Sequence, residues 1–423
     1  MKGLRRAAIG FGGAILLAGC GSGPGASGAW QAVTDTVADT VVVRTVAGSV
    51  WGDTTRLVEE LRIGSLEGAD AYVLGNPVSI AVGNGMVYVL DAQVPVVRAY
   101  DAGTGEHVMD IGRDGGGPGE YRHPDGLAVL PDGRVLVRSP RGLAINVYAP
   151  DGEFLEAWPH PAPGFHTYDR FHVDTAGASY ATGILSGGVP WEWERGFIGV
   201  SASGQVTDTI AINGWLAYER ADLTAFREGS SSRRQVPFTG EYVWSFSPHG
   251  YLIAGVTSRY AVYLFRPDGV LRIEREVASV PVQPEEAEER RARLTADLRR
   301  QYGSWRWNGP PIPETKPPFR RLFADHDGRI WVVMSQPGRP VLSAAEAAAQ
   351  EARSGRPVLR YREPPAFDVF DRDGRFLGPV VVPAGLVTEG PNPVARGDTV
   401  WGVERDPLGV PTIVRYRLAH GVD

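Results

Sequence analysis

Few residues in this chain have the types and spacings that covalent chemistry requires. The single cysteine is Cys20, and the eight histidines, at 107, 123, 160, 166, 172, 249, 326 and 420, are scattered. There is no H-E-x-x-H helix, no G-x-S-x-G nucleophile elbow and no C-x-x-C pair. His123 and His172 fall near the starts of apolar strands, but a lone histidine is a turn or core residue far more often than a ligand. Asp325-His326-Asp327-Gly328 and Asp371-Arg372-Asp373-Gly374 have the opening spacing of calcium loops without the remaining oxygen ligands or the closing Glu. They read as hairpin turns. The Gly-rich Gly115–Glu120 segment has no Lys and no following helix, so it cannot cradle a phosphate as a P-loop does. No catalytic set, resident metal or cofactor follows from these residues.

Two constellations suit binding better than reaction. Alignment of the repeated units described below puts Asn76, Asp125, Arg170, Glu241, Tyr242, Arg320 and Arg321 at the starts of innermost strands, around a central channel. Mixed charges there could fix a polar ligand or pair with one another around water. Aromatic residues form the second set: Trp191, Trp193, Trp305 and Trp307 lie in long loops with Trp215, Tyr218 and Tyr302, beside Glu192, Glu194, Arg220 and Asn308. Rings next to hydrogen-bonding groups suit a sugar, a peptide or a small aromatic compound, and equally suit anchoring a long loop to its scaffold.

The cysteine has its own context. Lys2, Arg5 and Arg6 precede an apolar stretch from Ala7 to Ala18, too short for a bilayer span of about 20 residues but suited to a signal-peptide core. The stretch ends in Leu17-Ala18-Gly19-Cys20, which resembles the lipobox of bacterial lipoproteins. That resemblance implies a leader over 1–19, acylation of Cys20, and a bilayer as partner through its lipid. The expected location is the outer membrane or the outer face of the cytoplasmic membrane. Cleavage would move the net charge from −6 to −9, which disfavours nucleic acid as a partner. Residues 20–35 then read as the lipidated Cys and a tether, whose Gly21–Gly28 stretch (GSGPGASG) has a flexible composition. With no cysteine left, folding must rest on the core without disulfides.

The remaining chain, 36–423, is organised by repetition. Pro77–Gly105 and Pro124–Gly152 both read as strand, X-Gly turn, strand, loop, strand, X-Gly turn. First turns recur at Asn84-Gly85, Asp132-Gly133, Ala176-Gly177, His249-Gly250, Asp327-Gly328 and Arg396-Gly397. Second turns recur five times, and the last unit stops after three strands, ending in Pro411–Leu418. An orphan strand, Arg56–Ile63, resembles the segments that follow second turns and is expected to complete that last unit. Thr40–Val46 is left over and is expected to cap the bottom or an edge. The expectation is an all-β fold: a six-bladed β-propeller of four-stranded antiparallel blades, the N-terminal strand closing the last blade. A β-sandwich pair fits less well, because it would not repeat its turns six times.

The stretch Gly112–Val147, with its GGGPGE element followed by Pro and an apolar strand, resembles the NHL-type six-bladed propellers of bacterial lipoproteins. Many members of that group have no assigned activity, so the resemblance implies fold more than function. In such blades the X-Gly turns share one face. Long insertions at 183–196, 213–238, 281–317 and 335–363 then fall on the other, the expected working face. Helical signals mark Pro284–Tyr302, with a Leu294, Leu298, Tyr302 stripe and a charge run read as solvated, and Ser343–Arg353, with a Ser343/Glu346 capping box. The functional expectation is a non-catalytic envelope lipoprotein that binds an unknown protein, peptide or glycan on this face. The alternative is a lactonase- or lyase-type propeller enzyme with a channel metal, for which Asp125, Glu241 and His123 are the available donors.

Overall fold

The computed structural model describes residues 29–52, 55–139, 144–160, 171–188, 192–406 and 408–421. The leader, Cys20 and most of the tether lie outside the described residues, as do Arg170 and Trp191. No described helix is long and apolar enough to cross a membrane.

Each X-Gly pair sits where the chain reverses. Asn84 and Gly85 both take positive φ (55° and 72°), the type I′ geometry that matches the twist of paired strands. The resulting hairpins build four-stranded antiparallel sheets in chain order. The first runs Pro77–Gly83, Met86–Asp91, Val96–Asp101, His107–Ile111, and the second Gly126–Val129, Val135–Ser139, Ala144–Tyr148, Phe154–Pro159. The third runs Phe171–Val173, Ser179–Ser186, Glu194–Val200, Val206–Ala211. The fourth is Tyr242–Ser247, Tyr251–Val256, Ala261–Arg266, Gly269–Arg275, and the fifth Phe319–Ala324, Ile330–Met334, Ala366–Phe370, Phe376–Val381. The last group of four combines Val394–Arg396, Thr399–Arg405 and Pro411–Ala419 with the N-terminal strand Arg56–Ile63, whose Arg56 also pairs in parallel with Val381 of the fifth, so that these two join edge to edge in one eight-stranded sheet. Leu57 faces Leu418 and Ile63 faces Ile413 in that antiparallel pairing.

Burial explains why the second strands are apolar on both faces. Val135–Ser139, Tyr251–Val256 and Ile330–Met334 are buried at every position, whereas the outer strand Phe154–Pro159 is mostly open. A strand buried on both faces needs a sheet on each side. Six apolar clusters supply this, each drawn from two consecutive sheets: Tyr88 with Leu127, Leu136 with Val200, Phe197 with Phe246, Ile253 with Ile330, Trp331 with Tyr416. The sixth joins the last sheet to the first, through Trp401, Ile413, Val87 and Val89. Polar pins cross the same seams. Asn84 Nδ2 donates to Gly133 O at 2.7 Å, Thr175 N to Pro248 O at 2.8 Å, and the Tyr260 hydroxyl to Asp368 at 2.8 Å.

The leftover strand takes a sheet edge, as expected, and the insertions depart from the sequence reading in three places. Thr40–Ala47 pairs in parallel with Gly269–Arg275 on the outer edge of the fourth sheet and carries Gln31–Val37 outside it. The 183–196 region is mostly strand, leaving only a short connection between Ser186 and Glu194. The 213–238 region folds into a hairpin, Asp222–Arg227 with Ser230–Gln235. The third departure concerns helix α1 (Pro284–Tyr302), which runs to the ends its Pro and Gly303 signals set, but whose charge run is not a solvated face. Glu286 is buried there, and Glu289 accepts the Arg360 backbone N–H at 2.8 Å. Helix α2 (Ala344–Ser354) starts at Ser343 with the full reciprocal capping box.

Closure by the N-terminal strand gives a stability prediction. Leu57→Ala empties a buried site between the fifth and last sheets and should cost about 2–5 kcal/mol. Val37→Ala, on the exposed outer edge, should stay within about 0.5 kcal/mol of the parent in the same denaturant titration. Equal effects would contradict the closure.

Candidate functional site

The innermost strands of all six sheets contribute to one central channel of about 150 Å³. Its walls are mainly Val, Ala, Ile and Leu, and its polar groups include Asp125, His172, His326 and Asn392. Asp125 lies 3.6 Å from the guanidinium of the fully buried Arg138, which also donates to Thr182 O at 2.7 Å. The His172 ring meets Phe197 edge-on and lies tilted against Phe246. Among the described residues, no three His, Cys, Asp or Glu side chains come together as a metal-ligand set.

A larger chamber, about 470 Å³, lies on the loop-rich side. Its floor is the lead into the fourth and fifth sheets, with Glu241, Thr257, Phe319, Arg320, Arg321, Val333 and Ser335. One wall is the turn after the inserted hairpin. Gln235 Nε2 donates to Gly240 O at 2.8 Å and Thr239 Oγ1 to Val236 O at 2.7 Å, and between them Phe238 is held at φ 62°. A non-Gly residue in that region costs about 1–3 kcal/mol and persists only where its surroundings over-determine it. The roof is α1, which presents Arg290, Arg293, Leu294 and Asp297 at i, i+3, i+4 and i+7, one helical face.

Charge, more than grease, docks that roof. Lys316, with its side chain fully buried, donates from Nζ to Glu286 at 2.8 Å and to Gln336 O at 3.1 Å, and lies 3.1 Å from Glu363. Glu363 in turn receives the Gln336 N–H at 2.8 Å and lies 3.5 Å from Arg320. Farther along α1, Arg293 donates to Pro357 O and Asp297 pairs with Arg356, clamping the 335–363 insertion. Phe238 sits under two cations, with Lys316 5.1 Å and Arg290 5.9 Å from its ring centre.

Glu241 differs from the other chamber acids. The residue as a whole is exposed, but its carboxyl sits in a partly desolvated position. This partial desolvation raises its pKa, opposed by Arg220 and reinforced by Glu389. Ser335 is 2% exposed, and its Oγ has no hydrogen-bond partner.

The residues singled out from sequence separate into three places. Glu241, Arg320 and Arg321 share the chamber, where Arg321 donates to the Thr388 carbonyl and, at 2.7 Å, to Asn392. Asp125 lies in the channel, and Asn76 is exposed and bonded to Arg405 at 3.3 Å. Tyr242 turns away from the channel, its hydroxyl donating to Ile212 O at 2.7 Å. The donors set aside for a channel metal are likewise apart: His123 is exposed, Asp125 is in the channel and Glu241 in the chamber. Of the aromatic set, Trp193 packs with Phe197 and Phe246 at the seam between the third and fourth sheets. Trp305 is buried with Leu223, Val236 and Leu298, and its Nε1 donates to Thr224 O at 2.8 Å. Trp307 packs beside it, under the Arg291 guanidinium. Sequence reasoning passed over Arg290, Phe238, Lys316, Ser335 and Glu363. Only the helical spacing of Arg290, Arg293, Leu294 and Asp297 carried a signal, next to the apolar stripe.

No family model matches the sequence, and neither does any curated protein. Solved structures are similar in shape. A DUF4221-family protein from Bacteroides vulgatus is 10% identical with a TM-score of 0.52, over 86% of this chain and 98% of that one. An exported-protein candidate from Bacteroides fragilis is 10% identical (TM-score 0.45, 90% and 99% covered), and virginiamycin B lyase from Staphylococcus aureus 11% (0.40, 86% and 100%). At such identities the likeness concerns the fold alone.

Two outcomes follow from the chamber's electrostatics. Lys316→Met leaves the buried Glu286 without its cation, removes one of the two cations of Glu363, and should cost about 3–5 kcal/mol in chemical denaturation, with α1 becoming the first site of proteolysis. A raised carboxyl pKa means the folded state binds the proton more tightly, so stability falls as pH climbs through the shifted range. Glu241→Gln should therefore be more stable than the parent at pH 7, the gap closing below the ordinary glutamate value of about 4.3. A constant gap would contradict the assigned shift.

Proposed function

We propose that this chain is a lipid-anchored envelope protein whose six-bladed propeller serves as a rigid platform for a ligand-binding chamber on its loop-rich face. The Leu17-Ala18-Gly19-Cys20 sequence supports the anchor, and the apolar seam between the last and first sheets supports the closed ring. The observation that carries the binding reading is the chamber itself. It has the volume of a small-molecule site, in the range of about 300–1,000 Å³, and mixes apolar walls with a few placed polar groups. Its walls come from elements far apart in sequence: the inserted hairpin, packed on α1 through Leu223 and Leu298, and the 335–363 insertion, tied to α1 through the buried Lys316. A loop face of that rigidity positions a ligand with little ordering cost.

The test uses a probe of matching chemistry. Anilinonaphthalene sulfonate, with an anionic head and apolar rings, should bind the native propeller once, with enhanced fluorescence. Leu294→Trp, which pushes an indole into the chamber from α1, should abolish this binding without lowering Tm by more than a few degrees. Unchanged binding in the filled variant would count against the chamber. For the anchor, Cys20→Ala should remove palmitate labelling and release the protein from membranes, and persistent labelling would refute it.

A further inference from the structure

The chamber holds both signs of charge, and most of it is already satisfied internally. Arg293 is matched by Asp297, Lys316 by Glu286 and Glu363, and Arg320 by Glu363 and Glu389. Arg321 is held by the Thr388 carbonyl and Asn392. Two chamber charges remain with no hydrogen bond or ion pair to their side chains among the described residues: Arg290 on the α1 roof and Glu241 on the floor. They are of opposite sign and on different walls. Phe238, Leu294 and Leu359 line the same chamber, as does Ser335, whose buried Oγ has no protein partner.

We propose that the chamber's ligand is a short peptide with free ends, its carboxylate on Arg290, its ammonium on Glu241, and an apolar side chain against Phe238, Leu294 and Leu359. This rests on the chamber being the ligand site. A zwitterion is the class that satisfies both unmatched charges at once, whereas an anionic amphiphile leaves Glu241 and a neutral sugar leaves both. The guanidinium fork suits a carboxylate, and its seat beside the Phe238 ring keeps it in place for one. The Glu241 carboxyl is held toward its neutral form chiefly by desolvation, with Glu389 adding to this and Arg220 opposing it, and an incoming ammonium supplies the close countercharge that the desolvated carboxylate lacks. Ser335 Oγ can donate to a peptide carbonyl or accept a peptide N–H, a role that its burial without a partner leaves open. The volume, in the lower part of the small-molecule range, sets the length at two or three residues.

The experiment is displacement of anilinonaphthalene sulfonate from the soluble propeller by phenylalanyl-leucine, checked by calorimetry. Three further arms are the N-acetylated dipeptide, the C-amidated dipeptide and free phenylalanine. The expected result is one site for the dipeptide, with each cap weakening binding at least tenfold. Arg290→Gln should erase the penalty for amidation alone, and Glu241→Gln the penalty for acetylation alone, a pattern that general destabilisation cannot mimic. Equal binding of capped and free dipeptides would overturn the zwitterion assignment. So would a dipeptide that fails to displace a probe that still binds once and is still lost in Leu294→Trp. Loss of the probe site itself would fall on the chamber reading instead.

Discussion

The structure depends on sheets that must be covered on both faces. A four-stranded sheet whose second strand is as apolar as Val135–Ser139 or Ile330–Met334 cannot face water on either side. Stacking sheet on sheet answers this for every unit but the first and last, whose outer faces stay open unless they meet. The cluster of Trp401, Ile413, Val87 and Val89 is where they meet, and the Arg56–Ile63 strand ties the chain's beginning to its end. No disulfide shares this load, since the only cysteine is Cys20. Stability and loop geometry therefore rest on the same seams.

Given that frame, antiparallel pairing decides where variation can go. Turns after the first and third strands of a sheet emerge on one side, and connections after the second strand emerge on the other. Minimal X-Gly turns pack closely against their neighbours on their side. At Gly328 a Cβ would stand 2.6 Å from the His249 ring, so both conformation and space call for glycine. The other side carries the inserted hairpin, α1 and α2; α1 meets the hairpin through Leu298 and Leu223, and holds Lys316 through Glu286 and the segment after α2 through Glu289 and Asp297. The cost of burying those charges is met by pairing each of them, and the result is a roof held at fixed height above Phe238 and Ser335. A roof held by an apolar stripe alone would be free to slide.

Much of the fold was legible because its determinants are local. Asn-Gly and Asp-Gly turns fix hairpins within a few residues, helix α1 announces its ends with Pro284 and Gly303, and Ser343 with Glu346 announces the start of α2. The orphan strand Arg56–Ile63 could be placed by its likeness to segments in the same position of other sheets. What escaped depends on distant partners. The Asp222–Arg227 and Ser230–Gln235 hairpin is polar and Ser-rich, and Trp305 and Leu298 bury its Leu223, far along the chain. The charge run of α1 reads as solvated because nothing local to it reveals that Lys316 and Arg356 will meet it. For the same reason Glu241, Arg320 and Arg321 were found together with Tyr242, which points elsewhere: alignment fixes a strand position, and it is the pleat and the neighbouring sheet that fix direction.

The closure is open to a direct chemical test. Val58 and Arg417 face one another across the junction of the two chain ends, at a spacing of about 4.5–5.5 Å between Cα atoms in such pairs, within disulfide reach. In a Cys20→Ala background, Val58→Cys with Arg417→Cys should oxidise spontaneously to a single faster-migrating species on a non-reducing gel, and its unfolding midpoint should rise above that of the reduced form. Failure of the two thiols to join in the native protein, or a bond that forms only after unfolding, would contradict a ring shut by its own N-terminal strand.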